Sequence, residues 1–186
     1  MIKPKKNIPS WIIVHHTASN NSFEIDNDWH KKKWPQFISE LGFHIGYHYW
    51  IDKNGEIKQA RREDKEAAHC IGLNIKSIGI ALQGNFSNDG EYPTNEQKIS
   101  LKKLLIEIMK RYNIPATKIV PHRYFSKTEC YGKNLSNDMV KKLVTEELQN
   151  SEDKQDIELL KKKITILENL VRIYIKLIAL IRKSNN

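Results

Sequence analysis

Four large apolar residues, W-I-I-V, run straight into a histidine pair at residues 11–16. A continuous apolar run of this length predicts a buried strand over Trp11–His16. Neighbouring side chains of a strand face opposite ways, so His15 shares a face with Ile13, and His16 shares the other with Ile12 and Val14. The spacing then turns helical over Ser22–Trp34, with Phe23, Ile25, Trp29 and Trp34 as apolar positions. G-Y-H-Y-W-I-D-K-N-G-E-I-K-Q-A (residues 46–60) reads as strand, turn, strand, and Lys53-Asn54-Gly55 offers the positive-φ residues of a tight hairpin. Another apolar strand is expected over Ser77–Gln83. T-N-E-Q has the form of a capping box, Thr94 with Gln97, and the helix it opens carries Ile99, Leu101, Leu104, Leu105, Ile108 and Met109 at helical spacing to Tyr112. A short strand over Lys118–His122 and a helix over Asn137–Leu148 complete the globular part. The expected class is therefore α/β, a central mixed β-sheet flanked by helices, over residues 1–150.

From Ser151 the pattern changes. Ile157, Leu160, Ile164, Leu167, Val171, Tyr174, Ile178 and Ile181 follow alternating steps of three and four, the a and d positions of a heptad. β-branched residues at every a position, with leucine at the first two d positions, suit a parallel two-stranded coiled coil. Leu159, Ile166, Ile173 and Leu180 also fill every c position, and Leu170 and Leu177 fill two g positions, so the apolar face is wider than one seam buries. A bundle of more than two helices satisfies it, as does packing on both a partner and the chain's own domain, or contact with an anionic membrane surface opposite Lys162, Arg172, Lys176 and Lys183. Sustained a/d regularity is required only for self-association, so residues 151–186 are expected to form a coiled-coil oligomerisation segment.

Composition narrows the partners. The chain has 186 residues and a net charge of +9, which favours polyanions: nucleic acid, anionic lipid or an anionic cell wall. Nucleic acid rests on charge alone and is set aside. Two cysteines, Cys70 and Cys130, exclude a disulfide framework. No segment has the length of uncharged apolar sequence that a membrane span needs, and the first ten residues lack the apolar run of a secretory signal, so residence in the cytoplasm is expected.

Seven histidines offer chemistry. P-H-R-Y-F-S-K-T-E-C sets His122 eight residues before Cys130, across a polar loop. A histidine at a strand end, a cysteine on the next loop and one histidine of the first strand make a three-ligand set with an open fourth position, the layout of a catalytic zinc site. His30, His44 and His48 are expected to be structural, Cys70 a packed thiol, and Trp29, Trp34 and Trp50 core residues.

I-I-V-H-H-T-A-S, G-Y-H-Y-W-I-D-K-N-G-E-I, A-A-H-C-I-G-L-N-I-K-S-I-G-I-A-L-Q-G-N-F and P-H-R-Y-F-S-K-T-E-C-Y-G occur in that order. Together they resemble the successive blocks of the zinc-dependent N-acetylmuramoyl-L-alanine amidases, the family shared by phage lysozyme-type amidases and peptidoglycan recognition proteins; W-H-K-K-K-W is similar to a further block. The likeness covers residues 10–148 and not the heptad tail. It implies Zn2+ bound by His15, His122 and Cys130, an active-site Tyr47, and Thr128 at the second catalytic position, with Lys127 one place out of register. It implies substrate contacts at His69 and Asn74, within A-H-x-x-G-x-N. Tyr131 departs from the family's usual proline, which bears on the loop's shape. The implied function is hydrolysis of the bond between N-acetylmuramic acid and L-alanine in peptidoglycan, by a phage or prophage endolysin held in the host cytoplasm until release to the wall. A cytosolic wall-recycling amidase and a non-catalytic peptidoglycan-binding module are the alternatives.

Overall fold

The computed structural model describes residues 4–184, apart from the side chains at 147, 148, 150–153, 174, 178, 179 and 181–184. The residues divide into two compact units, 1–145 and 146–186. No helix among the described residues is long and apolar enough to cross a membrane.

The first unit is built on five strands: β1 (Trp11–His16), β2 (Tyr49–Ile51), β3 (Ile57–Gln59), β4 (Ser77–Leu82) and β5 (Ile119–Pro121), in the order β3-β2-β4-β1-β5. Only β2 and β3 pair antiparallel; β2, β4, β1 and β5 run parallel. β4 is buried along its whole length, and β1 at every residue but Trp11, because interior strands of a parallel sheet are covered on both faces. This is why neither strand alternates apolar with polar. The β2–β3 turn is held by Asp52, whose Oδ1 accepts from the backbone N–H groups of Asn54 and Glu56. Of Lys53, Asn54 and Gly55, only Gly55 takes a positive φ, +84°, and a Cβ there would lie 2.8 Å from the Glu96 carbonyl.

Helix α1 (Phe23–Lys33) starts at Ser22, whose hydroxyl accepts from the Ile25 N–H. Helix α2 (Asn95–Tyr112) has the full capping box, Thr94 with Gln97, and ends at Asn113 in the left-handed conformation. Its core face is Leu101, Leu104, Leu105, Ile108 and Met109. Ile99, expected on that face, is 64% exposed, because its position lies half a turn from Ile108 on a 3.6-residue helix. α1 departs further from expectation. It buries Phe23 and Asp26, while Ile25 and Trp29 are exposed and Trp34 is half-buried. Of the three tryptophans expected in the core, only Trp50 is there, packed with Phe23, Ile45, Ala60 and Ala81.

Helix α3 spans Asn137–Ser184 without a break. Nothing between the expected short helix and the heptad segment stops it, since residues 137–156 contain neither glycine nor proline. Val140 and Val144, near its start, are fully buried. Of the heptad positions, the side chains of Tyr174, Ile178 and Ile181 lie outside the described residues; Ile157, Leu160, Ile164, Leu167 and Val171 are described and exposed.

Candidate metal centre and cleft

Strand register builds the site. β1 pairs β5 with Ile12 opposite Ile119, Ile13 opposite Val120 and Val14 opposite Pro121. The next pair in that series is His15 and His122, so two residues 107 positions apart become neighbours where the parallel strands end. Their ring centroids are 4.6 Å apart. The loop after β5 then returns Cys130 beneath them, tied by the Arg123 N–H to the Cys130 carbonyl and by Arg123 Nη1 to the Gly132 carbonyl. Tyr131 anchors this loop: its ring is fully buried, beside the Arg123 guanidinium, and its hydroxyl donates to Asn137 Oδ1.

One ligand atom from each of His15, His122 and Cys130 lies within 4.8 Å of the others. Cys130 Sγ is 3.6 Å from His15 Nδ1. A tetrahedral zinc ion takes nitrogen at about 2.0–2.1 Å and sulfur at about 2.3 Å, which sets neighbouring N and S atoms about 3.5 Å apart. The observed spacing fits that edge, and two ring nitrogens with one thiolate sulfur make a borderline-soft donor set of the kind zinc accepts.

Which nitrogen of His15 is free follows from a hydrogen-bond chain. Ser77 donates its hydroxyl to the Leu73 carbonyl at 2.7 Å, so its oxygen accepts from His69 Nε2 at 3.2 Å. Burial, and then the neighbouring histidines, lower the pKa of His15 and His69 well below the ordinary value, so both rings are neutral. A neutral His69 protonated at Nε2 has its lone pair on Nδ1, and it accepts from His15 Nε2 at 2.9 Å. His15 therefore keeps its lone pair on Nδ1, the nitrogen facing Cys130. Gly79 makes room for this chain, since a Cβ there would lie 2.6 Å from the His69 ring. Replacing His69 by phenylalanine, which keeps the ring and removes the acceptor, is expected to weaken zinc binding about 10–100-fold in a chelator competition. Unchanged affinity would show that the chain does not position His15.

The two adjacent histidines thus part company. His16 is also buried, but its Nδ1 accepts from the Phe86 N–H at 3.0 Å, and only its carbonyl approaches Cys130.

His15, His122 and Cys130 line a cleft of about 560 Å3. Tyr47 lines it with its ring 4.9 Å from that of His15, and burial, followed by nearby Cys130, raises its pKa, so its hydroxyl is a donor. Thr128 lines it too; its Oγ1 accepts from the Cys130 N–H and leaves its own proton free. Burial pushes the Cys130 thiol up to about 12, so a metal must displace its proton. Asn74 does not line the cleft: its Oδ1 accepts from the N–H groups of His69 and Cys70 and shapes the loop that holds His69. Cys70 packs with Ile13 and Val120.

Several cleft residues were not expected. Trp29, His30 and Trp34 form one wall, with the two indoles edge-to-face at 5.5 Å and Lys33 Nζ 4.6 and 4.7 Å above them. His30 holds this wall to the strand side, since its Nδ1 accepts from the Gly46 N–H. Asp26 also lines the cleft, accepting from Ser19 Oγ and Asn21 Nδ2. The signal that could have found them is Asp26, Trp29, His30 and Trp34 recurring at three-to-four-residue steps on a helix too polar to bury a whole face.

The sequence profile described as N-acetylmuramoyl-L-alanine amidase matches residues 5–133. The chain is 31% identical over 134 residues to peptidoglycan-recognition protein SC2 of Drosophila simulans, covering 70% of this chain and 72% of that protein. It is 29% identical over 109 residues to the endolysin of Escherichia phage T7, covering 54% and 67%. Among solved structures, the N-acetylmuramoyl-L-alanine amidase LysC from Clostridium intestinale superposes with a TM-score of 0.65 at 34% identity, covering 75% of this chain and 87% of LysC.

Proposed function

Because this chain belongs to the N-acetylmuramoyl-L-alanine amidase family, we propose that its cleft hydrolyses the amide between the lactyl group of N-acetylmuramic acid and L-alanine in peptidoglycan, with zinc held by His15, His122 and Cys130. The observation that carries this reading is the convergence of those three ligand atoms, within 4.8 Å of one another, in an open cleft.

An amide is a poor electrophile and water a poor nucleophile, and zinc, when bound, supplies a Lewis acid for the carbonyl and acidifies water at neutral pH. The chain supplies the rest. His69 and Ser77 keep the His15 lone pair aimed at the centre. Tyr47 and Thr128 present hydroxyl protons to the same cleft, suited to the negative charge that develops on the amide oxygen. Trp29 and Trp34 offer apolar faces for the glycan or the stem peptide. Trp29→Ala is therefore expected to raise KM with zinc content unchanged; an unchanged KM would take the indole out of substrate binding.

The role proposed is that of a phage or prophage endolysin, which resides in the host cytoplasm until released to the wall. A net charge of +9 supports it, because an intact anionic wall attracts a basic enzyme more strongly than small soluble fragments do. The test is to incubate zinc-loaded protein with purified sacculi and to label new amino groups. New N-terminal alanine without new reducing sugar ends is the expected result. Binding to sacculi with no new amino groups would identify a peptidoglycan-binding module instead.

A further inference from the structure

The cleft holds a carboxylate to which amide hydrolysis, as outlined, gives no task. Asp26 lies on the core face of α1, one turn after Phe23, and only 9% of it is exposed. It is the one carboxylate among the residues lining the cleft, and no lysine or arginine lines the cleft with it. Among the described residues no ion pair reaches it. Lys33, on the same helix, sets its ammonium over Trp29 and Trp34 instead. A chain of net charge +9 thus turns a lone negative group into its cleft.

Folding does not call for this charge. Burying a carboxylate costs free energy that an apolar residue at the same position would not incur. The surroundings are nonetheless built to keep it ionised. Burial raises its pKa, and Asn21, Trp50 and Ser19 oppose the rise. Ser19 Oγ and Asn21 Nδ2 both donate to Oδ1, at 3.2 and 3.1 Å, which leaves the Oδ2 lone pairs to a ligand.

We propose that Asp26 receives a ligand ammonium group and makes the cleft selective for peptidoglycan fragments that carry a free amine. The inference rests on this cleft being the place where peptidoglycan binds. Trp29 stands one turn beyond Asp26 on α1 and lines the same cleft, so its indole adds a second attraction for a cation. The Asp26 charge is also felt at Tyr47, whose pKa it raises after burial and Cys130, so the amine it takes lies near the amide to be cut. Two groups in peptidoglycan supply such an amine: the side chain of a diamino acid in the stem peptide, and a sugar that has lost its acetyl group.

The test is calorimetric binding of muramyl tripeptides to the full chain in a chelator, which prevents cleavage. One pair of ligands has a third-residue lysine with its side-chain amine free or acetylated. A second pair keeps that lysine acetylated and has the sugar amine free or acetylated. In at least one pair the free amine is expected to bind about 10–100-fold more tightly, and that pair identifies its source. Asp26→Asn keeps the shape and the Oδ1 acceptor, and is expected to bring the ratio close to one. Absent binding, a ratio near one in both pairs, or a ratio that survives Asp26→Asn overturns the proposal. So does loss of zinc from the metal-loaded Asp26→Asn protein, which would assign the charge to the metal. Cleavage of sacculi by the zinc-loaded protein is read separately. Preference without cleavage sinks the hydrolase reading alone, and cleavage without preference sinks this one alone.

Discussion

Cys130→Ser is expected to lose zinc and, with it, all lysis of purified walls, while the fold of the first unit persists. Serine keeps nearly the shape of cysteine, so packing against His15 and the His16 carbonyl changes little. What disappears is the thiolate. A serine hydroxyl stays protonated at neutral pH, and His15 and His122 alone leave the site one ligand short of a catalytic zinc centre. Zinc per chain after dialysis, together with the turbidity of a wall suspension, reads both effects. The neighbouring histidines sharpen the test. His15→Ala removes the Nδ1 lone pair and is expected to behave like the serine variant. His16→Phe removes the acceptor for the Phe86 N–H, which costs about 1–3 kcal/mol of stability, yet should keep its zinc. A Cys130→Ser protein that retains zinc and lyses walls would remove the metal centre from the reading.

Acid is the second large effect. Burial lowers His48 to about 4, and it lowers His16 and His30 to about 4 as well. An unfolded histidine binds its proton near pH 6.5. Between about pH 6.5 and about pH 4 the unfolded chain therefore holds more protons than the folded one, and stability falls as the pH falls. Above pH 6.5 the three rings are neutral in both states and cost nothing. Below about pH 4 they are charged in both, and the loss stops growing. For His48, fully buried with Nδ1 accepting from the Gly79 N–H and Nε2 donating to the Lys65 carbonyl, the loss across this window is about 3 kcal/mol. Thermal midpoints measured in a chelator, so that metal release adds nothing, should drop steeply across that window. His48→Gln should flatten the slope; a midpoint constant from pH 7 to 4.5 would contradict the assignment.

Local chemistry was legible in the sequence wherever a signal is itself local. Thr94 caps its helix because it offers a side-chain oxygen to the backbone N–H three residues on, which needs no partner from elsewhere. β1 reads as a buried strand because a continuous apolar run has to be covered on both faces. Trp29 and Trp34 were misjudged for the complementary reason. An indole is equally at home in a core and on the wall of a binding cleft, and spacing on α1 does not tell which surface the helix turns toward the sheet. The Oδ1 of Asn74, a residue expected at substrate, accepts from two backbone donors of its own loop, a contact that only the folded loop reveals.

The sequence by itself determined the elements, their order, and the separation of His15 from His16, because alternation along a strand is a property of the backbone. It also carried, through four ordered blocks, the three residues proposed as ligands. Only the tertiary structure decided that they meet. His15 stands beside His122 because β1 lies next to β5 in register, and Cys130 joins them because the loop is pinned by Arg123 and Tyr131. The free nitrogen of His15 was likewise undecided until His69 and Ser77 came to rest behind it. Distances between residues more than a hundred positions apart are set by strand pairing and packing, and no run of neighbouring letters encodes them.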